Sequence, residues 1–474
     1  MIGMHTDISA LLDAIAAGNT DQIIATARSL LQQGAPAAVI AGRVGMIAAR
    51  GDQDGHAILT LNAAGCLSRR LDALPLTPEE EGRGRERELP LLVQALVATA
   101  PALRAGQAAH ETYPEPLFPS GLSEGKIVDE LMHDAIYSND ATLTERLLFG
   151  LYGTGADYRT MQVRIYDAIS TTFQHAGHPL LFAVRGTQLL DAVEWGDRAP
   201  NILHWLAPHL PLHSEEPAWV NTVRSFLTDP GHSLASLRTR LSTPKNENAL
   251  PLRRLIGSDA GTTQVCQGVY DALIKGGASA NGVGSVIALA AADIMQMVSD
   301  GDRDAFIQAS HGLLFAAAVR LVFQQVQDPP ALPLLFTSAA FINALHQELG
   351  DQGGVTQAAA AHPSTLGGGL ISPALLDTLR EQLDAQDLAG AMNTVRRYFQ
   401  LGHEKRALFA VIGLAAARAD AAADQGHTLQ IVHAAGEEFI AWPSALADTS
   451  IEGFVHIALR AAIFGKRSSL LDNL

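Results

Sequence analysis

The feature that most constrains the fold of this chain is an internal repeat. Residues 11–34 and 132–155 align without a gap, and both begin with an acidic-Ala-Ile step, turn at a small polar cluster and run to a glycine. Residues 379–402 repeat this plan, and residues 252–277 form a looser fourth copy. A self-similar chain of this kind is expected to fold as stacked helical units that share one core.

A histidine follows each copy at a similar place. After the glycine, each copy continues into a helix of small residues and then into a step that reads GHAILT, GHPLLF, SHGLLF or GHTLQI. The histidines of these steps are His56, His178, His311 and His427. If each unit points its histidine toward a shared axis, the four form one site. The alternative is that each ring only caps or packs its own helix by bonding a carbonyl of a neighbouring turn.

Composition and periodicity indicate helices throughout. Hydrophobic residues make up 47% of the chain and charged residues only 17%, which is typical of helices packed through small contact residues. Apolar residues recur at helical spacing, and alternating β-branched runs are missing from the sequence. We therefore predict an all-α fold of four diverged helical repeats, arranged as a bundle or a closed ring. A Pro-containing connector at 241–251 divides the chain into two pseudo-symmetric halves, residues 1–240 with repeats 1 and 2 and residues 250–474 with repeats 3 and 4.

Charge and cysteine usage exclude several classes of protein. The formal net charge is −16 and there is no dense Lys/Arg run, which argues against binding to nucleic acid or to an anionic membrane. Cys66 and Cys266 are far apart and form no CxxC pair, as expected in a reducing compartment. No leader with a basic and then an apolar region is visible, and the best membrane candidate, residues 283–298, carries Asp293 and reads as a core helix. We expect a cytoplasmic protein with a small-molecule partner, and the acidic, Ala-rich composition is compatible with a homodimer.

Histidine is the residue type that points to chemistry. The chain has 17 histidines, and neutral imidazole is the commonest ligand of transition metals in proteins. We predict a metal site, for an ion such as iron, drawn from His56, His175, His178, His311 and His427. His175 and His178 are spaced to share one helix face. Asp54 and Asp424 precede two of these histidines and could serve as ligands or as orienting groups.

Other polar residues allow more than one interpretation. Arg185 follows His178 by about two helical turns and could clamp an anionic or enolate-bearing substrate, or could tie helix ends together. His204, His209 and His213 do not keep one helix face across two prolines, which favours surface or packing roles. The sequence contains no GxGxxG, P-loop, HExxH or GxSxG motif, so nucleotide-dependent chemistry is disfavoured.

One segment resembles a known family. LLFGLYGTGADYRTMQVRIYDAI at residues 147–169, followed by HAGHPLLF at residues 175–182, is similar to the questin oxidase-like proteins. The counterparts of the family's motif are Leu151, Tyr152, Gly155, Ala156, Tyr166, Gly177, His178, Pro179 and Leu180. The resemblance implies a helical, cofactor-poor oxygenase of the kind associated with Baeyer–Villiger-type ring opening of anthraquinone polyketides. The family's second histidine after this step is replaced here by Phe182.

These observations lead to one functional prediction and two alternatives. We predict an oxygenase or related redox enzyme, such as a Baeyer–Villiger-type monooxygenase, acting on an apolar, aromatic or polyketide-like small molecule, with His178 and Arg185 in catalytic roles. The first alternative is a non-catalytic helical-repeat scaffold or binding protein. The second is a cofactor-free enzyme in which histidine acts as acid and base. Imidazoles well over 10 Å apart would exclude a common metal site, because metal–nitrogen bonds are about 2 Å long.

Overall fold

The computed structural model describes most of the chain. The described residues are 7–109, 112–122, 127–155, 158–232, 234, 249–326, 329–351, 372–446 and 451–471. Within these ranges the only extended pairing is an isolated bridge between Ala419 and Arg467, and the regular elements are α-helices and short 3-10 turns. The prediction of an all-α fold is confirmed.

The described residues form twenty-one α-helices. The first five are α1 (Ser9–Ala17), α2 (Thr20–Gln32), α3 (Ala37–Ala48), α4 (His56–Arg70) and α5 (Leu89–Ala108). The next six are α6 (Val128–Tyr137), α7 (Ala141–Gly153), α8 (Tyr158–Ile169), α9 (His178–Asp191), α10 (Ala199–Leu206) and α11 (Ala218–Thr228). These are followed by α12 (Leu250–Ile256), α13 (Thr262–Ile274), α14 (Ala280–Met297), α15 (Arg303–Gln325) and α16 (Pro333–Asp351). The last five are α17 (Ser372–Asp384), α18 (Leu388–Gln400), α19 (Lys405–Ala416), α20 (His427–Ile440) and α21 (Glu452–Phe464).

Four of these helices form the centre of the molecule. α4 packs against α9, α9 against α15, α15 against α20, and α20 against α4, so the contacts close into a ring. Each of the four is buried along most of its length, because a helix from the preceding segment covers its outer side: α3, α8, α14 and α19 respectively. Much of the apolar core therefore lies on and around this central ring.

The two halves of the predicted domain division share this core. The connector between them lies largely outside the described residues. The contacts of α9 with α15 and of α20 with α4 cross from one half to the other. The central ring therefore needs helices from both halves.

The glycines at which the four sequence copies end are helix stops, as expected. Gly34, Gly155, Gly277 and Gly402 have φ values of 92°, 66°, 64° and 72°. This left-handed region is the usual conformation of the residue after a helix and favours glycine, which has no Cβ to clash with the backbone.

Three helical segments are long and apolar enough to cross a membrane, judged by length and composition alone: Glu86–Ala108, Ala280–Met297 and Arg303–Gln325. Between 67% and 83% of the residues in their most apolar windows are buried against other parts of the protein. The predicted interpretation of residues 283–298 as a core helix agrees with this packing, since α14 lies against α15, α16 and α21.

Candidate functional site

The four repeat histidines meet at one end of the central ring. They are His56 on α4, His178 on α9, His311 on α15 and His427 on α20, and we call them the histidine tetrad. The ring centroids of His56 and His178 are 5.2 Å apart, those of His178 and His311 5.1 Å, those of His311 and His427 5.1 Å, and those of His427 and His56 5.4 Å. Each imidazole thus contacts two others, and the separation that would exclude a common site is not found.

Three of the four histidines are placed by a glycine in the left-handed conformation. Gly55, Gly177 and Gly426 have φ values of 78°, 82° and 73°, and the histidine that follows each is the first residue of a central helix. There is also no room for a side chain at these positions. A Cβ on Gly177 would lie 2.3 Å from the ring of Phe315, and one on Gly55 would lie 2.2 Å from the ring of Phe182.

His311 reaches the tetrad in a different way. It follows Ser310, lies inside the long helix α15 and is preceded by more than two turns of helix. The stretch before it, residues 300–309, is the one that the sequence shows as longer than in the other copies. The extra residues extend α15 beyond the tetrad instead of forming a loop. The side chain of His311 therefore still contacts His178 and His427.

One nitrogen of each tetrad ring, Nδ1, is hydrogen-bonded to the backbone. Nδ1 of each ring donates to a carbonyl two or three residues earlier: that of Asp54 at 3.0 Å, of His175, of Gln308 at 3.1 Å and of Asp424 at 2.6 Å. A carbonyl only accepts, so Nδ1 carries the proton, and in the neutral ring Nε2 is left with a free lone pair. The helix-capping alternative and the convergent site are therefore both present, on different nitrogens of the same rings.

Two of these lone pairs face each other. Nε2 of His311 and Nε2 of His427 are 3.3 Å apart. With both Nδ1 atoms protonated, neither neutral ring has a proton to place between the two Nε2 atoms. A cation between them, either a shared proton or a metal ion, removes the repulsion.

Burial keeps three of the tetrad rings, those of His178, His311 and His427, neutral. It lowers the pKa of His178 to about 3 and that of His427 to about 4, and the neighbouring His311 acts in the same direction on both. The pKa of His311 is also lowered, first by burial. The neutral form is the one that binds metal ions, and it disfavours a shared proton between His311 and His427.

The spacing of the tetrad is close to that of ligands around one ion. With metal–nitrogen bonds of about 2.0–2.1 Å, neighbouring ring centroids would be about 5.2 Å apart in a tetrahedral site and about 4.5 Å apart in a square-planar one. The neighbouring pairs, at 5.1–5.4 Å, are near the first value, but a tetrahedral site would bring all six pairs to this distance, and the rings of His56 and His311, like those of His178 and His427, are not in contact. As the side chains stand, however, no group of three or more His, Cys, Asp or Glu in the described residues is arranged to hold an ion. Binding would require the rings to reorient toward a common point.

A large cavity opens next to the tetrad. It has a volume of about 860 Å³, and we call it the histidine pocket. Its walls include His56 and His178 of the tetrad and, beyond them, His175, His204, His209, His213, Asp52, Asp54, Phe182 and Trp205. The rings of Phe182 and Trp205 lie 4.8 Å and 5.5 Å from that of His209, so one wall is a cluster of aromatic side chains. Such a wall suits a flat, apolar ligand.

The group His204, His209 and His213 was not expected at a functional site, and the structure places all three in the wall of the histidine pocket. They come together because α10 ends in a short 3-10 turn at Ala207–His209, which bends the chain between them. Helical spacing could not have revealed this. The only sequence signal was the concentration of three histidines within ten residues.

Asp52 also lies in the wall of this pocket, and no pattern in the sequence selects it. Only 5% of it is exposed, and its carboxylate accepts hydrogen bonds from the backbone N–H groups of Ala57 and Ile58 at the start of α4. Burial raises its pKa to about 7, although these two bonds act in the opposite direction. A carboxyl group with this pKa can give or take a proton near neutral pH.

Two of the predicted site residues, His175 and Arg185, are not part of the tetrad. The expectation that His175 and His178 share a helix face is wrong, because His175 precedes α9 in a left-handed conformation with φ of 44°. Its side chain is exposed at the pocket wall, and its carbonyl is what orients His178. Arg185 is buried on the far side of the tetrad, where it binds Glu437 at 2.9 Å and Gln188 at 2.8 Å, and it does not line the histidine pocket.

The two predicted carboxylates orient the tetrad and do not point into it. Asp54 accepts from the backbone N–H of His56 at 3.1 Å through its side chain. The side chain of Asp424 accepts from Thr428 and from Arg303, both at the start of central helices. In both cases the backbone carbonyl of the aspartate holds the imidazole, so of the two predicted roles the geometry favours orientation.

Comparison of the chain with protein-family models, with curated proteins and with solved structures found no significant match.

Proposed function

We propose that this chain is an oxygenase or related redox enzyme in which the histidine tetrad holds a transition-metal ion and the histidine pocket admits a small aromatic molecule. The observation that carries the proposal is the pair of unprotonated Nε2 atoms 3.3 Å apart in a group of four neighbouring imidazoles. The local resemblance to questin oxidase-like proteins, which includes His178, points to the same class of reaction.

We also propose that the four units are diverged copies of one ancestral unit. In support, the turn between the first two helices has the same design in three of them: Asn19, Asp140 and Asp387 each accept a hydrogen bond from the backbone N–H three residues later. The residue before each of these caps has a positive φ. If each copy of the unit ends in one histidine, four copies arranged as a ring of equivalent helices place their histidines around one axis.

The tetrad has the features of a prepared metal site in three respects. Burial keeps three of its rings neutral, backbone carbonyls fix the tautomer of all four, and neighbouring ring centroids are 5.1–5.4 Å apart. Imidazole nitrogen suits iron, copper, zinc and nickel, and a redox-active ion such as iron would supply electron transfer to oxygen. Binding would require the side-chain torsions of the rings to change until their Nε2 atoms point toward one ion.

The chain's own residues would position the substrate. Phe182 and Trp205 would stack on an aromatic ring, and this places the substrate beside His178, which lies 5.4 Å from Phe182. His209 is kept neutral because burial lowers its pKa, so it can accept the proton of a phenolic hydroxyl. Asp52 lies in the same wall and is a second group for this proton.

The proposal is tested by oxygen uptake. Tag-free protein is loaded in turn with Fe(II), Cu(II), Mn(II) and Zn(II), then mixed with a hydroxylated anthraquinone, with and without ascorbate as reductant. We expect oxygen consumption that depends on both a redox metal and the aromatic compound and that falls at least tenfold in His178→Ala. His133→Ala, on α6 and outside the pocket, is the matched control and should keep the wild-type rate. Uptake that is unchanged in His178→Ala, or missing with every metal, contradicts the proposal.

A second candidate function is a cofactor-free enzyme that uses histidine and aspartate as acid and base. It is favoured by one observation: in the described residues no three such side chains already converge as metal ligands, whereas His209 and Asp52 face one pocket. Under this candidate, chelators leave turnover of the aromatic compound intact, and Asp52→Asn and His209→Gln abolish it. Turnover that stops on chelation and returns with added metal excludes it.

A further inference from the structure

A second cavity lies at the opposite end of the central ring. It has a volume of about 840 Å³, and five arginines are in its walls, so we call it the arginine pocket. They are Arg69 and Arg70 at the end of α4, Arg159 on α8, Arg320 on α15 and Arg406 on α19. Arg320 follows His311 by nine residues on the same helix, which corresponds to about 14 Å along its axis. The two cavities are therefore separate.

The charge of this pocket is opposite to that of the whole chain, which carries a net −16. The acidic side chains in its wall are Asp191 and Glu437. Asp191 accepts a hydrogen bond from Trp195 Nε1 at 2.7 Å, and Glu437 pairs with Arg185 at 2.9 Å. Five guanidinium groups facing two engaged carboxylates leave an excess of positive charge in the pocket.

Two of the arginines have buried N–H groups without a partner among the described residues. Arg320 is 1% exposed and donates to Glu438 at 2.6 Å and to Gln324 at 3.0 Å, while its Nη2 has no hydrogen bond. Arg70 donates from Nη2 to the carbonyl of His433 at 2.9 Å, while its Nη1 has none. An unsatisfied buried N–H of a charged group is destabilising, so a ligand that accepts these bonds would be favoured.

The other charged side chains at the pocket also favour a bound anion. Burial and the positive charges of Arg185 and Arg406 lower the pKa of Arg70 to about 10, against the opposing effect of Glu437. Arg406 is exposed and has no ion pair with a described residue. A bound anion would relieve the repulsion among these guanidinium groups.

We propose that the arginine pocket binds a small organic anion with two or more negative charges, a phosphate ester or a polycarboxylate. Guanidinium groups present paired N–H donors that match the oxygens of phosphate and carboxylate groups, and such bonds are the stronger, charge-assisted kind. Tyr158, Leu321 and Ile440 complete the wall and give the organic part of the ligand an apolar surface. This site is independent of the proposed redox function at the other end of the ring.

The proposal is tested by calorimetric titration of the full chain with pyrophosphate, glycerol phosphate, citrate and acetate at constant ionic strength. We expect at least one of the three multiply charged probes to bind with a Kd at least tenfold lower than that of acetate. In the double variant Arg69→Gln/Arg406→Gln the Kd should rise at least tenfold. Both side chains are exposed, so the fold should be retained. Arg254→Gln, an exposed arginine on α12 outside the pocket, is the matched control and should bind as the wild type does.

The probes and one further variant separate the outcomes. Preference for pyrophosphate and glycerol phosphate identifies the ligand class as phosphorylated, and preference for citrate identifies it as a polycarboxylate. His178→Ala should leave the affinity unchanged, which shows that the anion is not held by a metal at the tetrad. The proposal is overturned if none of the probes binds more tightly than acetate, if Arg254→Gln weakens binding as much as the double variant, or if His178→Ala abolishes it.

Discussion

The two ends of the central ring are built from the same four helices and differ in chemistry. At the histidine end, backbone carbonyls bond one nitrogen of each imidazole, and burial keeps three of the four rings neutral. At the arginine end, buried side chains are charged, and arginines outnumber the carboxylates that pair with them. One helix turn beyond the tetrad, Leu59, Leu181 and Leu314 line a narrow interior cavity between the two ends. Asn62, Arg185, Gln430 and His433 also line this cavity, so polar side chains as well as leucines lie between the two ends.

The comparison shows two ways of satisfying buried polar groups. A neutral ring needs one acceptor, and a backbone carbonyl two or three residues earlier in the chain supplies it. A buried guanidinium needs a carboxylate, and α20 supplies Glu437 and Glu438 for this purpose. Although burial acts to raise it, the charge of Arg185 and the hydrogen bond that it donates hold the pKa of Glu437 far below its ordinary range. The stability of the arginine end therefore depends on these ion pairs, and removal of one partner should lower the free energy of unfolding.

The largest effect should come from the fully buried pair of Arg320 and Glu438, whose side chains are 1% and 0% exposed. Arg320→Met leaves Glu438 in the core without a counter-charge, which should lower the free energy of unfolding by about 3–5 kcal/mol. Urea denaturation measures this. The double variant Arg320→Met/Glu438→Met should recover most of the loss. A single variant that loses less than 1 kcal/mol would show that the pair is not what holds this end together.

A smaller effect is expected where a glycine positions the tetrad. Gly177→Ala combines a left-handed backbone with a Cβ 2.3 Å from Phe315, so the free energy of unfolding should fall by about 2–4 kcal/mol. Gly155→Ala is the matched control, because its φ is also positive but no atom of the described residues around it lies within 4 Å of the added Cβ. It should cost only about 1 kcal/mol. Equal losses in the two variants would mean that the contact with Phe315 is unimportant.

The smallest effect concerns the pH dependence of stability. Burial holds the pKa of His433 well below its ordinary 6.5. Above pH 6.5 the ring is neutral in both folded and unfolded chains, whereas below it only the unfolded chain takes up the proton, so stability is lost as the pH falls. This group should contribute a loss of about 2 kcal/mol at pH 5 relative to pH 8.

Thermal and urea unfolding at the two pH values test this contribution. His433→Gln should reduce the loss at low pH. His133→Gln should not, because a hydrogen bond to Asp167 raises the pKa of His133 and gives it the opposite dependence. An unchanged loss in His433→Gln would show that this ring is protonated in the folded chain.

Much of the fold was predictable from local signals. Helical spacing of apolar residues, the four glycine stops and the four histidine steps follow from the conformational preferences of single residues, which a sequence displays directly. The closure of α4, α9, α15 and α20 into a ring is a consequence of long-range packing. The sequence could suggest a ring or a bundle but could not decide between them.

The candidate site was predictable only in part. His56, His178, His311 and His427 were found because one pattern recurs four times. His209 and Asp52 reach the pocket through a bend after α10 and through a cap on α4, and neither has a spacing that marks it. His175 does not share a helix face with His178, because its backbone leaves the helical conformation just before α9. The i, i+3 spacing of the two residues in the sequence does not reveal this.

Metal binding by the histidine tetrad tests the central claim most directly. Tag-free wild-type protein is analysed for bound elements and titrated with Co(II), whose visible spectrum reports coordination, alongside His178→Ala, His427→Ala and His175→Asn. We predict about one equivalent of metal per chain. It should be lost in the first two variants and kept in His175→Asn, because only the backbone carbonyl of residue 175 is needed. Wild-type protein that binds no stoichiometric metal, or that binds it equally well without His178 and His427, would contradict the proposed metal site.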